Sequence, residues 1–222
     1  MNKQEIISKE LPEPEEYLAA LNGEKTDDSV LEPPDYFGRI REWAEARNLI
    51  AGSDSKSQYL KLMSEFGELN SALVASDKDE IIDGIGDTAV VLTIIAAQNN
   101  IILDNSLFHA EPTYSLGIVE RFSFYFDQLM SVTAVLGKLG DAIAKGQEVF
   151  AHIKSALDGL QLLAQMYHSQ IGVAREYAFA ECLTRAYDSI KDRKGVMYNG
   201  VFVKSTDDRY ETIVAELAAA KN

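Results

Sequence analysis

Residues 58–100, QYLKLMSEFGELNSALVASDKDEIIDGIGDTAVVLTIIAAQNN, constrain the fold more tightly than any other stretch. Apolar residues recur at helical spacing on both sides of a short polar break, Ser76-Asp77-Lys78-Asp79, which predicts a helical hairpin. Acidic residues fall inside the stripes that should be buried. Glu65 and Glu68 are three apart and share a face with Leu62, Leu69 and Leu73. Glu80, Asp83 and Asp87 follow an i, i+3, i+7 row beside Ile81, Ile85, Val90 and Val91. Two carboxylates ~4 Å apart at an effective dielectric near 20 repel by roughly 4 kcal/mol. Such a cluster either raises the pKa values of its members or binds a compensating cation. Oxygen donors with no His or Cys nearby point to Mg²⁺, with Mn²⁺ the alternative, and away from zinc. Magnesium commonly shares its shell with substrate phosphates, which makes a triphosphate the natural substrate. The competing explanation is a solvated outer face paired with Lys61 and Lys78.

The succession K-L-x-x-E-x-x-E-L, then a second helix carrying I-G-D-x-x-V-V-L, resembles the MazG-like, all-α nucleoside triphosphate pyrophosphohydrolases. The Trp-containing helix ahead of it, in REWAEARNLIAGSDSKSQYLKL, is similar to that of phage-type members. The resemblance implies E-x-x-E in one helix and E-x-x-D in the next. Glu65 and Glu68 match the first half and Asp87 the closing Asp, but the position three before Asp87 is Gly84. Asp83 is the expected substitute, so the implied metal ligands are Glu65, Glu68, Asp83 and Asp87, with Glu80 in reserve. Glu65 or Glu68 would also take the proton of the attacking water. The resemblance resumes over residues 178–204, AFAECLTRAYDSIKDRKGVMYNGVFVK, where Lys191 and Arg193 would reach the phosphates; the usual Asn is Asp188 here.

Bulk properties narrow the field. With 222 residues, 46% hydrophobic and 25% charged, the chain has the composition of a globular protein. The 35 acidic residues against 21 basic ones, net charge −14, argue against binding a nucleic-acid backbone. No signal-peptide pattern and no apolar run of about 18 residues is present, which predicts a cytoplasmic protein that binds no membrane. Cys182 is the single cysteine, which excludes an internal disulfide. His109, His152 and His168 lack zinc-type spacing, and there is neither a P-loop nor a Rossmann glycine motif.

In chain order, residues 1–34 are acidic, interrupted by Pro12, Pro14, Pro33 and Pro34, and read as an arm with a short helix near Glu15–Leu21. Asp35 then opens a helix carrying Phe37, Ile40, Trp43 and Ala44, which ends near Asn48 before a turn at Ala51-Gly52-Ser53-Asp54. A base pocket is expected where this helix meets the acidic hairpin, with Trp43, Gln58 and Lys61 as substrate-binding candidates. Residues 103–176 read as a helical insertion or as a degenerate repeat of 58–100. Leu129-Met130-Ser131 repeats Leu62-Met63-Ser64 at an offset of 67, placing Val132 and Val135 where Glu65 and Glu68 stand, and Asp158 falls on Asp87 at an offset of 71. A second hairpin would complete a four-helix bundle, which related enzymes complete by pairing subunits. Asn199-Gly200 between Val196-Met197-Tyr198 and Val201-Phe202-Val203 predicts a β-hairpin, and a last helix runs from about Asp207 to Ala220.

The expected fold is therefore all-α, a four-helix-bundle core with a short C-terminal β-hairpin, in one domain over residues 35–222. The expected activity is Mg²⁺-dependent hydrolysis of a (deoxy)nucleoside triphosphate to monophosphate and pyrophosphate, by a homodimer or a pseudo-dimer within one chain. A catalytically weak nucleotide or metal sensor and a helical interaction protein are the alternatives.

Overall fold

The helix best able to order its neighbours is the second of the acidic hairpin. In the computed structural model, which describes residues 34–107, 118–173 and 175–220, it runs from Lys78 to Gln98 and buries fourteen of its twenty-one residues. Chain order around it is α1 (Tyr36–Ala46), α2 (Leu49–Gly52), α3 (Ser55–Ala75), α4 (Lys78–Gln98), α5 (Ile118–Lys145), α6 (Phe150–Met166), α7 (His168–Ile171) and α8 (Ala178–Ile190). Strands β1 (Gly195–Tyr198) and β2 (Val201–Lys204) and helix α9 (Tyr210–Ala219) follow. Helix α3 packs on α4 and α5 on α6, while α4 also meets α6 and α3 meets α5, which makes the four-helix core. Helix α8 lies on the other side of α4, and α1 spans both. The protein is all-α with a C-terminal hairpin. From Tyr36 onward it is one compact unit. The N-terminal arm as far as residue 33, its short helix, and His109 lie outside the described residues.

Two glycines set the close approaches of α4. A Cβ on Gly84 would lie 2.9 Å from both Cα and Cβ of Leu69, so α3 and α4 cross here with no room for a side chain. A Cβ on Gly86 would meet the Cys182 carbonyl oxygen at 2.5 Å and Ala186 Cβ at 2.7 Å, so α4 and α8 cross there. Burial pushes the Cys182 thiol up, out of the range of a reactive cysteine. Among the described residues no helix is long and apolar enough to cross a membrane.

Local boundaries depart from expectation in instructive ways. The turn expected at residues 51–54 is half helical. Asn48 adopts a left-handed conformation (φ 57°), α2 follows, and Asp54 caps α3 by accepting from the Ser57 N–H at 2.7 Å. The four-residue polar break shrinks to two: Ser76 is a left-handed C-cap (φ 55°) and Asp77 accepts from the Glu80 N–H, so Lys78 and Asp79 already lie in α4. The last helix starts three residues late, because Asp207 forms a two-point ion pair with Arg209. The β-hairpin turns at Asn199 (φ 49°) and Gly200 (φ 79°), the two positive φ angles of a type I′ turn.

The repeat register also shifts. The local Leu-Met-Ser identity suggested an offset of 67, but burial repeats at 70. Leu62, Phe66, Leu69 and Ala72 of α3 correspond to Val132, Leu136, Leu139 and Ala142 of α5, all buried. Both helices end in the same motif: the Asp77 N–H donates to the Ala72 carbonyl at 3.0 Å, and the Gln147 N–H to the Ala142 carbonyl at 2.9 Å. In α4 and α6 the offset stays 71, with Ile82, Ile85, Ala89 and Leu92 on Ile153, Ala156, Leu160 and Leu163.

Candidate functional site

Two antiparallel rows build one cavity. On α3, Gln58, Lys61 and Glu65 lie at i, i+3 and i+7; on α4, Asp87, Val90, Val91 and Ile94 lie at i, i+3, i+4 and i+7. Because the helices run in opposite directions, Glu65 sits across from Asp87, and Gln58 across from Ile94. The cavity therefore has a charged end and an apolar end. Trp43 of α1, Leu49 of α2 and Ile190 at the end of α8 continue the apolar wall, Arg193 and Lys204 add positive charge, and Val201 and Phe202 of β2 close it from outside.

At the charged end the carboxylates feel one another. Asp87 has its pKa raised to about 7, first by burial and then by the charges of Asp83 and Glu65, with Arg193 and Lys61 opposing the shift. Glu65, almost wholly buried, is ion-paired with Lys61 one turn earlier. Asp83 is exposed one turn before Asp87 and also lies off the lining, but it is close enough for its charge to raise the Asp87 pKa. The structure thus brings Glu65, Asp83 and Asp87 to one region. Glu68 is exposed, accepts from the Ser64 hydroxyl at 3.3 Å, and does not line the cavity. Glu80 is exposed in the first turn of α4, also off the lining. Gly84 explains the shifted acidic position: a Glu side chain there would be driven into the Leu69 backbone.

Trp43 is fixed from both sides. Its Nε1 donates to the Ile190 carbonyl at 2.8 Å, Phe202 meets it edge-on with ring centroids 6.5 Å apart, and the Arg47 guanidinium lies 5.0 Å from its ring centre. Arg47 in turn donates to the carbonyls of Lys191 (2.6 Å) and Arg193 (2.7 Å). Both carbonyls lie just past the end of α8, and tying them to α1 holds the segment from which Arg193 enters the cavity. Lys191 points elsewhere: its ammonium pairs with Asp188 at 2.8 Å, and it does not line the cavity. Arg47 and Lys204 carry no sequence signature. Lys204 sits in a plain alternating strand, and the partners of Arg47 are about 145 residues away, so no local pattern marks either.

The donor set is all oxygen and mutually repelling, which suits a hard divalent cation. Among the described residues, however, no group of three or more His, Cys, Asp or Glu side chains is gathered as a metal-holding cluster. Glu65 would have to exchange Lys61 for an ion to join Asp83 and Asp87.

No protein-family model matches the chain, and no solved structure matches it. A curated relative, the uncharacterized 18.2 kDa protein in the rep-hol intergenic region of Haemophilus phage HP1 (strain HP1c1), is 50% identical over 62 residues. That stretch is 28% of this chain and 38% of the phage protein, so the similarity covers well under half of either.

Proposed function

We propose that the chain is a magnesium-dependent nucleoside triphosphate pyrophosphohydrolase, similar to the MazG-like enzymes. The observation that carries the reading is the two-ended cavity, in which an apolar, aromatic-walled slot runs into a cluster of acids and bases. A nucleotide has the same two halves, a flat base and a polyanionic tail. Glu65, Asp83 and Asp87 are the residues that would hold the divalent ion. When bound, it supplies charge neutralisation at the phosphates and a more acidic water. Arg193 and Lys204 bind the outer phosphates as fixed positive charges. Glu65 accepts the proton of the attacking water on a carboxylate oxygen, because Glu68, the other candidate, stands off the lining. Trp43 and Phe202 exclude water from the base. Helices α5 and α6 complete the bundle within one chain, which favours the pseudo-dimer over a pair of subunits.

The weak-sensor reading draws on one observation, the ungathered donors. One experiment separates the two: a panel of (deoxy)nucleoside triphosphates is incubated with magnesium, and pyrophosphate release is measured. Turnover that is lost in Glu65→Gln and in Asp87→Asn supports the hydrolase. Binding without turnover supports the sensor, and full activity in both variants eliminates the mechanism.

A further inference from the structure

At the apolar end of the cavity one serine dictates which way two amides face. Ser53 has a single hydroxyl proton, and its Oγ donates it to the Leu49 carbonyl at 2.6 Å. Its lone pairs can then only accept, and they accept from Gln58 Nε2 and Gln98 Nε2, both at 2.9 Å. Gln98 also reaches the Leu49 carbonyl with Nε2 at 3.4 Å, which fixes the same orientation a second time. The arrangement holds even though it leaves Gln98 Oε1 buried without a partner among the described residues. Turning either amide around would set a carbonyl oxygen against a hydroxyl oxygen with no proton between them.

The consequence lies at Gln58. This residue is 7% exposed and lines the cavity, whereas Ser53, which holds its Nε2, does not. With Nε2 tied to Ser53, the opposite end of the amide is Oε1, a pure acceptor on a residue that lines the cavity. We infer that the cavity selects its occupant by an exocyclic amino group, offered to Gln58 Oε1, and that Ser53 sets this preference by locking the amide. The inference rests on the nucleotide reading and goes further, naming adenine or cytosine over their keto counterparts. A keto oxygen at that position would face Oε1 and leave two acceptors unpaired in a largely apolar slot. Gln58 is thus a specificity-determining residue and Ser53 a positioning residue.

The test is binding, not turnover. Non-hydrolysable α,β-imido triphosphates are compared within two pairs, dCTP with dUTP and dATP with dITP, so that ring size cancels. Affinity is measured by calorimetry in magnesium buffer, with the fluorescence of Trp43, the one tryptophan of the chain, as a second signal. The amino member should bind at least about tenfold more tightly in the pair that fits. Ser53→Ala frees the amide to turn and should bring the ratio to within about threefold of one, chiefly by improving the keto member. Gln58→Glu, which offers only acceptors, should keep the preference, and Gln58→Leu should abolish it. Tight binding with no amino preference overturns this inference and leaves the nucleotide reading standing. A preference that survives Ser53→Ala removes the role of Ser53. Failure of all four analogues to bind overturns both readings.

Discussion

The two long hairpins of the bundle, α3–α4 and α5–α6, bury corresponding positions and treat charge in opposite ways. In the first, Glu65, Glu68, Asp83 and Asp87 are all acidic; their counterparts in the second are Val135, Lys138, Lys154 and Asp158. Asp87 has another acid, Asp83, one turn before it, and its pKa is pushed up to about 7. Asp158 has Lys154 at that place and is paired with it at 2.8 Å. One helix neutralises its buried-edge carboxylate from within, and the other aggravates it. The same packing is therefore compatible with a relaxed charge pattern, and the acidity of α3–α4 serves something other than folding.

The sharpest way to break the comparison is to remove the two related aspartates one at a time. Asp87→Asn should lower magnesium-dependent pyrophosphate release by at least about 100-fold. Asp158→Asn should leave the rate within about twofold of wild type, since that residue is half-exposed, is ion-paired with Lys154 on its own helix and does not line the cavity. Equal losses in both would mean that the acid in either hairpin has a structural role, and the charge difference would carry no functional meaning.

The next contrast concerns packing and is read by thermal melting. Gly84→Ala forces a methyl group into the Leu69 backbone, costing about 1–3 kcal/mol and lowering Tm by roughly 3–10 °C. Its counterpart Ser155 is exposed, so Ser155→Ala should shift stability by no more than about 0.5 kcal/mol. This pair also marks the limit of what the chain's letters reveal. Apolar periodicity and turn chemistry expose the acidic hairpin, the Trp43 helix and the Asn199-Gly200 turn, because each is a local pattern within one or two neighbouring elements. The crossing of α3 over α4 is not local. Gly84 looks like a lost ligand in the sequence and is a contact point in the fold. The repeat register misleads for a similar reason: three identical letters outweigh a diffuse burial pattern that only packing displays. Arg47 and Ser53 act through carbonyls and amides whose partners no spacing announces.

Acid titration gives a smaller effect with a definite sign. The Asp87 pKa is about 7 in the folded protein against an ordinary value of 3.8, so the folded state binds the proton more tightly than the unfolded one. Stability is therefore greatest below the ordinary value and is lost as pH rises from about 4 to about 7. Asp87→Asn abolishes that loss: without metal, its Tm should exceed wild type by about 2–6 °C at pH 8 and converge with it near pH 4. Magnesium at pH 8 should close the gap by stabilising wild type alone. A wild-type Tm that does not change between pH 5 and pH 8 relative to Asp87→Asn would refute the crowding of charge at this end of the cavity.

The smallest expected effect belongs to Glu68, and it asks how far the acidic pattern of the first hairpin extends. Glu68 and its counterpart Lys138 are both exposed, and Glu68 contacts Ser64 on its own helix while the cavity lies one turn away. Glu68→Lys makes α3 resemble α5 at that position and should change stability by less than about 0.5 kcal/mol. Magnesium affinity, followed by calorimetry, should fall only severalfold through loss of a nearby screened charge, well short of the loss in Glu65→Gln. A loss as large as that of Asp87→Asn would bring Glu68 into the metal-holding set and require α3 to present both of its glutamates when the ion is bound. The metal-holding set would then contain four carboxylates and not three.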